Sequence, residues 1–272
     1  MSACEPAFVD IEGRSLFVVR HAPRGEPRCR VLVLPPFAEE ANRCRRLTAL
    51  SARALAAAGC ETLVFDLTGT GDSGGDFAAA DWQTWRDDVR GIAARFDWPR
   101  APGRRAVLAV RSGLLLAPAL DLAGAALVAW QPVLNGDRYL QQFLRTRVMA
   151  AKFAGRSESV KELLERFRGG EALEVAGYTL SPALALALAA ARVDESDFAD
   201  LSATTLLECK PQAGGQPSAP VAALAEALCA HGHSAVAEVL AAEAFWSTQE
   251  ISAPDVVVTR TVAALTGGEV AP

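Results

Sequence analysis

Apolar residues follow two alternating rhythms along this chain. Short unbroken runs occur in "CRVLVLPP" (29–36), "CETLVFD" (60–66), "RRAVLAVR" (104–111), "GAALVAWQP" (124–132), "ATTLLECK" (203–210) and "HSAVAEVLA" (233–241). Runs of this length, stopped by Pro, Gly or charge, predict strands buried on both faces. Between them lie stretches with a single apolar face. One helix is predicted from about Ala41 to Ala58, with Leu47, Leu50, Ala54 and Leu55 together and Gly59 as its stop. Another spans "DWQTWRDDVRGIAARF" (81–96), where Trp82, Trp85, Val89 and Ile92 share a face. Further helices are predicted for "SGLLLAPALDLA" (112–123), "SPALALALAAARV" (181–193), "VAALAEALCAHG" (221–232) and "DVVVTRTVAALTG" (255–267). Ser181 is placed to cap its helix, with Pro182 at the first helical position.

Strands alternating with helices predict an α/β fold, a mostly parallel sheet with helices on both faces. The segment "AFVDIEGRSLFVVRHAP" (7–23) reads as a hairpin around Glu12-Gly13 and supplies an antiparallel edge. The rhythm breaks between about 135 and 178, where the text is helical, rich in Arg, Lys and Glu, and without a strand. That block is expected to be a helical lid inserted into one domain spanning 1–272. The loop "QAGGQPSAP" (212–220) is too short to link domains.

Apolar residues make up 51% of the 272, enough for a sizeable core, and the net charge of −5 argues against a nucleic-acid binder. No run of about 18 uncharged apolar residues occurs, so no membrane span is expected. The opening "MSACEPAFVDIEG" lacks a basic region followed by an apolar one, which makes a cytoplasmic location the expectation. Six scattered cysteines without a CxxC read as reduced thiols, not zinc ligands. His231 and His233 form an H-x-H pair, more simply a solvated surface pair than a metal site. No cofactor and no metal are expected.

The strand–helix order, the lid position and "DLTGTGDSGG" (66–75) resemble the α/β-hydrolase fold. Four blocks carry a narrower likeness: "PPFAEEANRCRR" (35–46), "WQPVLNGDRYLQQFLR" (130–145), "VAGYTLSP" (175–182) and "FWSTQEI" (245–251). They resemble the second of two hydrolase types associated with the bacterial exosortase-A and exopolysaccharide system. The resemblance implies a cytoplasmic hydrolase-type protein from an exopolysaccharide gene context. Fold alone does not settle function.

Catalysis in that fold needs a G-x-S-x-G elbow, whose small flanking residues permit the strained turn that exposes the hydroxyl. The best alignment here is Ala109-Val110-Arg111-Ser112-Gly113, which puts Arg111 at the nucleophile position. A guanidinium stays protonated and cannot attack a carbonyl. Shifting the frame makes Ser112 the nucleophile, but between bulky Val110 and Leu114; otherwise Ser112 is a helix-start serine capping backbone amides. The base is also missing. The loop after the last strand, "AAEAFWSTQEIS" (241–252), has no histidine, while His231 and His233 precede that strand. A strand of about eight residues separates them from the opposite edge by roughly 26 Å. His21 is expected at that same far edge. Glu208 and Asp137 are the remaining acids, without a base to orient.

Ligands of open parallel sheets bind outside the carboxyl ends of the strands. Candidate catalytic residues there are Arg111, Ser112, Glu39, Glu40 and Glu250; candidate ligand contacts are Arg111, Asn42, Arg45, Arg46, Gln131, Asn135, Trp246 and Gln249. Arg111 either anchors an anion at a helix start or pairs with Glu39, Glu40 or Glu250 to lock the loops. Glu39 and Glu40 either act on a ligand or serve the helix dipole. Asp72 and Ser73 read as turn formers, and Phe245 and Trp246 as packing. Three functions stay open. The chain binds or processes a small anionic or acylated molecule under the lid; it is an atypical esterase or thioesterase using Ser112; or it is a non-catalytic partner of an exopolysaccharide-system protein or of a second copy of itself.

Overall fold

The computed structural model describes residues 3–101, 103–212 and 214–267. The expectation resting on the chain's first residues begins at Met1 and Ser2, and the loop 212–220 includes Ala213; those three lie outside the described residues. Strands β1 (Ala3–Ile11) and β2 (Arg14–Ala22) form the expected hairpin. Glu12 and Gly13 both take positive φ, +52° and +83°, the two-residue turn whose twist matches its strands. Then come β3 (Cys29–Leu34), β4 (Cys60–Phe65), β5 (Arg104–Val110), β6 (Ala126–Trp130), the short β7 (Leu173–Val175) and β8 (Tyr178–Leu180), and finally β9 (Ala203–Lys210) and β10 (Ala235–Ala241).

The main sheet has eight strands in the order β1-β2-β4-β3-β5-β6-β9-β10. β1 and β2 are antiparallel, β2 meets β4 antiparallel, and every other neighbour is parallel. The central strands are the apolar runs of the sequence: Ala106 to Val110 and Leu127 to Trp130 are all buried.

Seven α-helices form among the described residues: α1 (Glu39–Ala57), α2 (Trp82–Arg95), α3 (Gly136–Phe153), α4 (Val160–Arg168), α5 (Pro182–Ala190), α6 (Ala219–Ala230) and α7 (Asp255–Thr266). Two cores result, one on each face. Leu47 and Leu55 of α1 and Val262 and Leu265 of α7 pack on Val31, Val33, Leu108 and Trp130. On the opposite face, Trp85 and Val89 of α2, Leu140 of α3, Phe167 of α4 and Leu184 of α5 share one core with Leu32, Leu34 and Val107. Ser181 caps α5 as expected, accepting from the Leu184 amide at 3.1 Å.

Three expectations need correction. The segment between β6 and β9 is not purely helical, because β7 and β8 pair within it around Ala176-Gly177. The helix predicted for 112–123 is a 3-10 helix at Arg111–Ala119. Pro118 inside it has no N–H to give, and Gly113 lies so close to β3 that a Cβ would sit 2.3 Å from the Leu34 carbonyl oxygen. Finally, α1 begins at Glu39, two residues before the predicted start.

Candidate functional site

Three loops at the carboxyl edge of the sheet each place a non-glycine residue in the left-handed region: Ala38 after β3 (φ +51°), Arg111 after β5 (φ +53°) and Gln131 after β6 (φ +42°). Such residues cost about 1–3 kcal/mol each and persist only when their surroundings enforce them. Around Arg111 the enforcement is visible. Ala109 and Val110 are fully buried, and Gly113 allows the close approach to Leu34 and Pro35. Arg111 therefore occupies the apex of a strand–turn–helix bend, in the register the small residues predicted.

The Arg111 side chain turns inward and is 7% exposed. Its Nη2 donates to Glu40 Oε1 at 2.9 Å and its Nε to Oε2 at 3.2 Å. Nη1 donates to the Gln131 carbonyl at 3.3 Å. The guanidinium lies 4.8 Å from the ring centre of Trp246 and 5.7 Å from that of Tyr139. The Tyr139 hydroxyl donates to Glu40 Oε2 at 2.9 Å. Burial works against the charge on Arg111, but Glu40 outweighs it and holds the guanidinium above its ordinary pKa. Burial and then Glu40 push the Tyr139 phenol well up, so it stays protonated as the donor. Of the three carboxylates the sequence offered, Glu40 is the partner.

Ser112 is 3% exposed. It does not cap its own helix; its Oγ accepts the Phe37 amide at 3.0 Å. That amide belongs to the loop after β3, and the hydroxyl engages it.

The histidines lie away from the bend. His21 pairs across the sheet with Thr62, in the first half of β4, and is thus near the amino edge. His231 ends α6, its Nδ1 2.8 Å from the Ala227 carbonyl oxygen, and His233 precedes β10. Glu208, near the end of β9, is buried and takes both the amide and the hydroxyl of Ser218 at 2.6 Å. Asp137 accepts from Gln141 at 2.8 Å. Among the described residues no three His, Cys, Asp or Glu side chains group to hold a metal.

The other candidates disperse. Glu39 faces Asn42 and Tyr178, with Asn42 Nδ2 donating to Glu39 at 3.1 Å and to the Tyr178 hydroxyl at 3.0 Å, so α1 is tied to β8. Arg45 pairs with Asp66 at 3.2 Å. Arg46, Gln249 and Glu250 are exposed. Gln131 takes the Cys209 amide on its Oε1 at 2.8 Å, and Asn135 caps α3 by accepting from the Arg138 amide at 3.0 Å. Phe245 is fully buried against Trp130. Ser73 does more than shape its own loop: it accepts from the Phe17 amide at 2.9 Å and donates to the Asp66 carbonyl at 2.6 Å.

Beside the Arg111–Glu40 pair opens a cleft of about 190 Å³. Arg111 and Tyr139 form part of its wall, with Pro132, Val133, Pro220 and Val221 as apolar lining and Asn135, Arg138 and Gln142 as polar lining. Arg138 is exposed and its guanidinium has no ion-pair partner among the described residues. Sequence reasoning missed Arg138, Tyr139 and Gln142. Their signal was there: all follow the cap Asn135 within two turns of a helix that starts at the carboxyl edge.

No family model matches the sequence, and neither does any curated protein sequence. Solved structures do match. Ferulic-acid-bound Est1E from Butyrivibrio proteoclasticus superposes with a TM-score of 0.63 at 14% identity, covering 94% of this chain and 96% of that one. Proline iminopeptidase from Mycobacterium smegmatis gives 0.59 at 12% identity, with 97% and 98% covered. Mouse alpha/beta hydrolase domain-containing protein 10 gives 0.56 at 13%, with 94% and 96% covered. Together with the sheet order, these likenesses establish the α/β-hydrolase fold. No described helix is long and apolar enough to cross a membrane.

Proposed function

We propose that this chain is a cytoplasmic α/β-hydrolase-fold protein of the exosortase-A and exopolysaccharide system that recognises a small anionic or acylated molecule without serine hydrolysis. The observation that carries the reading is the Arg111–Glu40 pair at the apex of the bend. A cation that cannot attack fills the nucleophile position, a carboxylate neutralises it there, and the adjacent Ser112 is buried with its oxygen engaged by Phe37. The system-level assignment rests on the resemblance of the four sequence blocks.

The ligand site is the cleft next to that pair. Arg138, Asn135 and Gln142 would meet an anionic head, and Pro132, Val133, Pro220 and Val221 an acyl group. The insertion of α3, α4, β7, β8 and α5 acts as the lid, held to the site by Tyr139 on Glu40 and Tyr178 on Asn42.

Calorimetric titration with butyrate and acetyl phosphate tests this, alongside turnover of p-nitrophenyl butyrate. Saturable binding of at least one anion, weakened about tenfold or more by Arg138→Ala, is expected, a loss of about 1.4 kcal/mol. Ester turnover is expected to stay at the buffer rate. Turnover abolished by Ser112→Ala, or binding indifferent to Arg138, would overturn the reading.

A further inference from the structure

A second cavity, of about 230 Å³, lies away from the Arg111 cleft, between α1 and the antiparallel side of the sheet. Its origin is topological. α1 covers β3 and β4, and Val19 and His21 of β2 also face it, Val19 half-buried and His21 buried, while the neighbouring Val18 points into the opposite core. Val33, Val64, Ala49 and Pro36 complete an apolar wall.

The polar groups gather at the two ends. α1 runs antiparallel to β3 and β4, so Arg45 and Arg53, eight residues apart, are separated by about 12 Å along its axis. At one end Arg45 is paired with Asp66 at 3.2 Å. At the other end stand Arg53, His21 and Cys4. Arg53 is exposed and has no ion-pair partner among the described residues. His21 is 3% exposed, yet its Nδ1 is buried with no hydrogen-bond partner, and the hydroxyl of its cross-strand neighbour Thr62 is in the same condition. Nδ1 is closed off from the cavity, so it is the remainder of the His21 ring that lines it. Burial first, then the charge of Arg53, lowers the His21 pKa, so the ring is neutral at neutral pH and has one N–H to give.

We infer that this cavity binds a medium-chain monocarboxylate, its carboxylate held by Arg53 and the His21 ring and its apolar tail lying along Val19, Val33 and Val64 toward Pro36. A guanidinium and a neutral imidazole N–H are both donors, as a carboxylate requires. The volume lies below the range of drug-sized pockets, which favours a small ligand. The site is independent of the cleft at Arg138 and stands whether or not that proposal does.

Octanoate, with octanamide as the neutral control, tests it on the whole chain by nuclear magnetic resonance of the imidazole rings. The chain has three histidines, so His21 is assignable by comparison with His231→Gln and His233→Gln. Octanoate at millimolar concentration is expected to shift the His21 ring signals saturably and to leave the other two in place. Arg53→Ala, an exposed position, is expected to weaken the effect about tenfold or more, and Ala49→Phe to abolish it by filling the cavity; Arg138→Ala is expected to leave it unchanged. No saturable His21 shift, equal binding of octanamide, or a folded Arg53→Ala variant that binds as well as the parent would overturn the inference.

Discussion

Arg111 and Glu40, 71 residues apart in sequence, hold each other through two hydrogen bonds of 2.9 and 3.2 Å at the carboxyl edge of the sheet. The pair joins the β5 bend to the first turn of α1, and Tyr139 joins both to α3. Both members are largely buried, with side chains 8% and 19% exposed. Removing one partner leaves the other's charge stranded, which costs about 3–5 kcal/mol. Glu40→Ala is therefore expected to destabilise the protein by that amount in urea denaturation. Replacing the whole cluster at once, as Arg111→Met with Glu40→Leu and Tyr139→Phe, is expected to come within about 1 kcal/mol of the parent, because neither a buried charge nor the buried Tyr139 hydroxyl that donates to Glu40 is left unmatched.

A hydroxyl placed at the apex of the bend is not expected to make the chain hydrolyse esters. Arg111→Ser places an alcohol at the apex, but the loop after β10 carries no histidine to take its proton. The Phe37 amide also stays committed to Ser112. Hydrolysis of p-nitrophenyl acetate by this variant should remain within about tenfold of buffer, measured spectrophotometrically.

Much of this arrangement was legible in the sequence, for identifiable reasons. Central strands are apolar on both faces, so "RRAVLAVR" announced itself as β5. Ala109 and Gly113, two residues either side of Arg111, fixed the register of the bend. The partner of Arg111 was not legible, since Glu39, Glu40 and Glu250 all lie at the same edge. Helix phase decided it: one residue along α1 is a rotation of about 100°, which turns Glu39 to Asn42 and Tyr178 and Glu40 to Arg111. The β7–β8 hairpin escaped because three-residue strands are too short to show alternation. Its one sign was Ala176-Gly177, which takes φ of +52° and +84°. Pro118 was the unread warning that the segment after Arg111 would not be a regular α-helix.

On the other face of the sheet, Trp130 Nε1 donates to the Thr261 hydroxyl at 2.8 Å, both residues being fully buried. Thr261→Val keeps the shape and removes the acceptor. The indole N–H then has no partner, and a loss of about 1–3 kcal/mol is expected from thermal or urea unfolding.

Acid should loosen the insertion. Glu158 accepts from Arg147 Nε and Nη2 at 2.8 Å, and Arg166 lies 3.5 Å away. The hydrogen bonds from Arg147 hold its carboxyl below the usual glutamate value. A depressed folded-state pKa gives stability that is complete above the unfolded value, about 4.3, and is lost as pH falls through the folded one. Glu158→Gln is thus expected to be about 1 kcal/mol less stable than the parent at pH 6, with the difference shrinking as pH falls below about 4.3. Unfolding curves of both proteins, followed downward from pH 6, check this.

Whether an attacking hydroxyl exists at the bend is decided most directly by intact-mass spectrometry after incubation with a fluorophosphonate. The account predicts an unmodified chain, because Arg111 cannot react and Ser112 is buried against the Phe37 amide. A stoichiometric phosphonyl adduct mapped to Ser112 would contradict it.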